Sequence, residues 1–295
     1  MPVPPAAEEY TAFLFLLRFY TPYMPMLPQY RFLYAGPHRA SWLVYLLLFL
    51  LQGCSMPACA QLRVAQAGSA APSHAAWDGL LKKWVDERGM VDYKGFASDR
   101  KALRAYLQQL EASAPDPERW SREEQLAYWL NAYNAFTIEL ILRHYPLESI
   151  KDIKAGPQIP FVNTPWDIKF IRIGGRELDL NNIEHNIIRP GFEEPRIHFA
   201  LVCAARSCPK LRREAYVADR LEGQLAEQAR SFLLDPDKNI VRSDRLQLSK
   251  LFDWYGGDFT KGRSLQEAIR EYSGVPVSKD APIRYLYYNW QLNEQ

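Results

Sequence analysis

The sequence predicts a single α+β domain: a small mixed or antiparallel sheet packed against several helices, with one buried helix at the centre. Three observations lead there. Between Ser121 and His144, residues Ala127, Tyr128, Trp129, Leu130, Ala132, Tyr133, Ala135, Phe136 and Ile138 leave almost no polar face, the pattern of a helix buried on all sides. Short β-rich runs flank turn residues: Lys169–Ile173 and Arg176–Leu178 across Gly174-Gly175, and Ile240–Leu248 around Ser243-Asp244, which read as two hairpins. Helices and strands do not alternate regularly, which argues against a doubly wound parallel sheet.

The elements follow in order. Ser121 and Glu124 form a capping box at the start of the central helix: the Ser hydroxyl accepts from the N3 amide while the Glu reaches back to the cap. Asp219 with Glu222 and Ser264 with Glu267 repeat the pattern, and Ser98 to Lys101 is a weaker version. Pro146 ends the central helix. Asn181 to Arg189 reads as a short helix stopped by Pro190. Arg196 to Cys203, RIHFALVC, reads as an inner strand bounded by Pro195 and Ala204-Ala205. Ile283 to Tyr288 reads as a last strand.

Ahead of this domain, taken as residues 74–295, residues 1–60 read as a leader and 61–73 as an Ala-, Gln- and Ser-rich linker. Trp42 to Leu51 is an apolar run of ten residues, too short for a spanning helix of about 20 and right for a signal-peptide core of about 7–15. Arg31 and Arg39 precede it, and Ala58-Cys59-Ala60 supplies a cleavage site before Gln61. A rival reading takes Leu51-Gln52-Gly53-Cys54 as a lipobox, with the protein anchored to the outer membrane through Cys54. The expectation is a periplasmic or secreted domain with no membrane span once the leader is removed.

A formal net charge of +2 with interspersed signs sets up no field that would draw nucleic acid. The chain has no Walker motif, no dinucleotide glycine fingerprint and no Gly-x-Ser-x-Gly elbow, so nucleotide chemistry and ordinary serine hydrolysis lose support.

Five segments stand in order along the domain: AYWLNAYNAFTI (Ala127–Ile138), IEHNIIR (Ile183–Arg189), RIHFALVCAARSCPKL (Arg196–Leu211), LSKLFDWYGGDF (Leu248–Phe259) and YYNWQLN (Tyr287–Asn293). Together they resemble the family catalogued as domain of unknown function 547, over roughly Trp77 to Gln295. The resemblance implies an exported bacterial type with relatives in plants, and it implies no accepted activity. In the plant members the position of Cys208 is often Ser, which points to Cys203 as the chemically relevant cysteine. Asn289 stands where the family pattern has an acidic residue.

The candidate site is the Cys/His group. Beyond the leader only Cys203 and Cys208 remain. A Cys beside a His can act as a thiolate nucleophile, because the neighbouring imidazolium lowers the thiol pKa. The leading expectation is a thiol-dependent hydrolase or acyl transferase with Cys203 as nucleophile, His185 or His198 as base and Glu184 as the orienting carboxylate. His198 and Cys203 are an odd number of residues apart, so they meet only if the strand between them bulges or turns. Asn131 and Asn134 share a helix face and could hold a substrate amide, and Arg189 and Arg196 could clamp a carboxylate; internal hydrogen bonds and ion pairs are the competing account of all four. No cofactor is required. The alternatives are a zinc site on His185, His198, Cys203 and Cys208, or a Cys203–Cys208 disulfide suited to an oxidising compartment. Either would suit a non-catalytic binding or assembly domain, its ligand an unidentified small molecule or peptide.

Overall fold

The 23-residue helix Arg122–His144 organises the architecture seen in a computed structural model, which describes residues 70–156 and 163–295. The leader features, from Arg31 through the cleavage and lipobox motifs to Gln61, lie outside the described residues, as does the linker up to residue 69. The described residues belong to one compact unit.

Nine α-helices are defined among the described residues: α1 Ala75–Trp84, α2 Tyr93–Ser98, α3 Arg100–Ala112, α4 Arg122–His144, α5 Arg189–Phe192, α6 Leu221–Leu233, α7 Leu251–Trp254, α8 Gly256–Phe259 and α9 Leu265–Ser273. The strands β1 Ile171–Ile173 and β2 Arg176–Leu178 form an antiparallel hairpin. Gly174 and Gly175 both take positive φ, 60° and 73°, as a two-residue turn of this hand requires. The second sheet has the order β3 Ile240–Val241, β4 Leu246–Leu248, β5 Ile283–Tyr285; β3 pairs antiparallel and β5 parallel to β4. This is an α+β domain with two small sheets, the class the sequence predicts.

Helix α4 is buried from Leu126 to Leu142 without interruption, which is why its sequence carries no polar stripe. Its Ser121–Glu124 capping box is present, as is that of Ser264 and Glu267 on α9. The other two expected caps differ. Asp219 lies inside a 3-10 turn, Ala218–Arg220, and α6 begins after it with no side-chain cap. Ser98 turns its hydroxyl back to the Gly95 carbonyl, and Asp99 takes the cap position of α3.

Two hydrophobic clusters fill the domain. The larger surrounds α4 and takes in α1 to α3 and the β1–β2 hairpin. The smaller gathers Phe232, Phe252, Phe259 and Ile269 from α6 to α9 with Leu246 and Leu248 of β4. Residues 195–202 run between them, with Ile197, Leu201 and Val202 in the first cluster and Phe199 in the second. This corrects the expected strand: Pro195–Phe199 is a 3-10 helix, followed by non-repetitive chain. The run is mostly apolar because it packs into both clusters, and periodicity cannot separate a buried strand from another short buried segment.

A second correction concerns Asn181 to Arg189. The segment is a π-helix, Asn182–Ile188, and Pro190 does not stop it; the chain continues as α5 to Phe192. Proline is tolerated there because it occupies the first turn of the new helix.

Candidate functional site

The wide turn of the π-helix presents the first part of the site. The Arg189 amide reaches back five residues to the Glu184 carbonyl, and single π turns of this kind recur at functional positions. On this turn Arg189 donates to His185 Nδ1 at 3.1 Å. A guanidinium only donates, so the neutral His185 ring must carry its hydrogen on Nε2. Burial lowers the His185 pKa, opposed by Glu184 and reinforced by Arg189 and His198, which keeps the ring neutral near pH 7.

Helix α8 brings the group that joins the histidines. Asp258 accepts from His198 Nε2 at 2.7 Å and from Arg189 through two bonds, 2.8 Å at Nε and 3.1 Å at the second guanidinium nitrogen. Burial alone would raise its pKa, but the bonds from His198 and Arg189 outweigh that and hold the carboxyl well below the usual carboxylate range. Glu184 Oε1 lies 3.9 Å from His185 Nδ1 and 3.9 Å from His198 Nδ1. The His198 ring stacks on Tyr255 with centroids 4.0 Å apart, and the Arg189 guanidinium lies over the same tyrosine at 5.3 Å.

Tyrosines extend this polar chain inward. Burial, then the nearby Glu184 charge, raises the pKa values of Tyr133, Tyr255 and Tyr288. The Tyr288 hydroxyl lies 3.3 Å from the Cys203 sulfur and 3.2 Å from that of Cys208. Cys203 and Cys208 are joined as a disulfide, so a Cys203 thiolate exists only after reduction. The close polar partners of the Cys203 sulfur are Cys208 and Tyr288, while those of the imidazoles are Asp258, Arg189 and Glu184. Tyr288 thus touches the disulfide, while Glu184 acts on all three buried tyrosines. Among the described residues no three His, Cys, Asp or Glu side chains gather as a metal site. The zinc set His185, His198, Cys203 and Cys208 therefore lacks a common centre, because the sulfurs are committed to each other.

The other proposed ligand-holding residues are engaged internally. Asn131 donates to the Tyr216 carbonyl at 2.8 Å and accepts from the Tyr216 amide at 3.0 Å. Asn134 donates to the Ala200 carbonyl at 2.9 Å and accepts from the Val202 amide at 3.0 Å. Each amide thus replaces a strand partner for a loop, and Asn134 fixes the segment between His198 and Cys203. Arg196 is held by Glu194 and Glu222, with four side-chain bonds of 2.6 to 2.8 Å. Asn134→Ala is expected to cost about 1–3 kcal/mol for each buried backbone group it strands, read as a lower denaturation midpoint at unchanged slope.

Sequence reasoning missed Tyr133 and Tyr255. The available signal was physical: a tyrosine on a helix with no solvent face needs a partner for its hydroxyl. Residues 117–233, which span α4, the π-helix and both cysteines, match the model of a family described as protein of unknown function, DUF547. Over these residues the chain belongs to the DUF547 family. No curated protein and no solved structure matches the chain. The DUF547 match ends before Tyr255, Asp258 and Tyr288, so the polar group is completed by residues that follow the matched span. Among the described residues no helix is long and apolar enough to cross a membrane.

Proposed function

We propose that this DUF547 domain is an extracytoplasmic binding module whose site is the face carrying His185 and Arg189. The carrying observation is the pairing of a closed Cys203–Cys208 bond with imidazoles engaged by Asp258 and Arg189. That state offers fixed hydrogen-bond donors and no resting thiolate. His185 and Arg189 keep side-chain exposures of 36% and 33%, enough to meet a ligand. Their N–H groups, backed by the Tyr255 ring, suit a small molecule or peptide presenting a carbonyl or carboxylate oxygen. Export is supported by the leader pattern and by the disulfide, which persists in oxidising compartments.

A second reading is the thiol-dependent hydrolase or acyl transferase, with Cys203 as nucleophile after reduction, His185 or His198 as base and Glu184 orienting. It is favoured by the half-buried position of Cys203, which is more exposed than its partner Cys208. One experiment separates the two. Unreduced protein is treated at neutral pH with an iodoacetamide probe, and isotope-labelled protein is titrated with N-acetyl dipeptides. The binding reading expects no probe on Cys203 and shifted His185 ring resonances. Labelling of Cys203 without reductant, abolished by His185→Ala, would overturn it in favour of the thiol enzyme; an unmoved His185 ring would also count against it.

A further inference from the structure

The two sulfurs of the disulfide sit in unequal surroundings. Cys208 is buried, at 2% exposure, while Cys203 is half-buried at the margin of the larger cluster. Cys208 Sγ receives the Cys203 amide at 3.0 Å as well as the Tyr288 hydroxyl at 3.2 Å. Cys203 Sγ has the Tyr288 hydroxyl at 3.3 Å. Hydrogen-bond donors lower the pKa of a thiol, and the lower-pKa sulfur leaves faster in exchange. The inner sulfur is therefore the better leaving group and the outer one the more open to attack.

The bond is also poorly placed to act as a staple. It joins residues five apart, and a short loop removes little entropy from the unfolded chain. The core around α4 is large, with Cys208 one member among many. Tyr288 is buried with its hydroxyl on both sulfurs, an arrangement that a purely structural bond in an apolar core would not need.

We propose that Cys203–Cys208 is an exchangeable redox pair that reacts with dithiols, Cys203 being the sulfur attacked and Cys208 the one released. One thiolate of the dithiol forms a bond to Cys203 Sγ; the Cys203–Cys208 bond breaks and its electron pair stays on Cys208. The second thiolate of the reagent then attacks its own sulfur in the mixed disulfide, releasing Cys203 as thiolate. The dithiol becomes a cyclic disulfide, the protein gains two electrons, and the two protons of the reagent thiols pass through solvent to the cysteines. In this direction the pair oxidises a dithiol substrate; run in reverse, the reduced pair reduces a disulfide. This reaction is independent of ligand binding at His185.

The test equilibrates the oxidised full-length chain with graded ratios of reduced to oxidised dithiothreitol, without denaturant. Alkylation and peptide mass mapping distinguish Cys203 and Cys208 from Cys54 and Cys59, and near-ultraviolet circular dichroism reports the fold. Reduction of the pair with the dichroism retained is expected, with Cys203 alkylated ahead of Cys208. In single-cysteine proteins, Cys208→Ser is expected to form a glutathione adduct on Cys203 about tenfold faster than Cys203→Ser forms one on Cys208, and Tyr288→Phe is expected to slow reduction of the pair about threefold. Reduction only as the dichroism collapses, or equal or faster reaction at Cys208, overturns the proposal. If a variant does not fold, the wild-type reduction and alkylation order decide it.

Discussion

Phe199→Ala is expected to destabilise the domain by about 3–5 kcal/mol, the range for deleting a fully buried aromatic. Phe199 has no exposed surface. Its ring lies among those of Phe232, Phe252, Phe259 and Tyr272, with centroids 5.4 to 6.1 Å away. Close-packed rings cannot collapse fully into the void, so the lost contacts add to the lost burial. Urea unfolding followed by tryptophan fluorescence gives the measurement, with the midpoint falling and the slope unchanged. A loss under about 1 kcal/mol, the range of surface positions, would mean the second cluster is not packed around this residue.

Asp258→Ala is expected to cost about 3 kcal/mol at pH 7, the low end for removing one partner of a buried charge pair. The discount follows from exposure: Asp258 and Arg189 are 24% and 33% exposed, while His198 is 2% exposed. The pH dependence gives the finer test. A carboxyl whose folded pKa is depressed adds stability that is present above its unfolded value of about 3.9 and lost as pH falls through the folded value. The gap between wild type and variant is therefore expected to narrow as pH falls below about 4. His185 titrates in both proteins, but only in the wild type does the Asp258 charge oppose the lowering of its pKa, so the carboxyl itself is read from the behaviour below about pH 4. The folded pKa of His185 is lowered, mainly by burial, so the unfolded chain binds the proton more readily and stability falls as pH drops below about 6.5. A gap that failed to narrow below about pH 4 would show that Asp258 is not ionised and paired in the folded state.

Local chemistry was legible in the sequence. The Ser121–Glu124 and Ser264–Glu267 boxes and the Gly174-Gly175 turn are written within four residues each, and each is present. The buried character of α4 was legible because burial on every side removes the polar stripe. What was lost depends on partners far along the chain. RIHFALVC looks like a strand because most of it is apolar, yet its apolar residues are there because two clusters meet across it. The π turn at Glu184 and His185 has no periodic signature in seven residues. Asp258 joins the histidines across 60 and more residues, a relation that spacing cannot reveal. The Cys203–Cys208 pairing was one of several readings of the same residues, and sequence spacing could not choose among them.

The segment 195–202 also bears on how this domain can vary. Asn134 grips its backbone, Phe199 anchors it in the second cluster, and His198 carries the site on the same few residues. Substitutions in contact, or sharing a network, do not add independently. Changes at Asn134, Phe199 and His198 are therefore coupled, and a new chemistry at the histidine has to arrive with a repacked interior. The epistatic unit is the short segment, not the site alone, so grafting the histidine and its aspartate onto another scaffold without the asparagine clamp would transfer the residues but not their geometry.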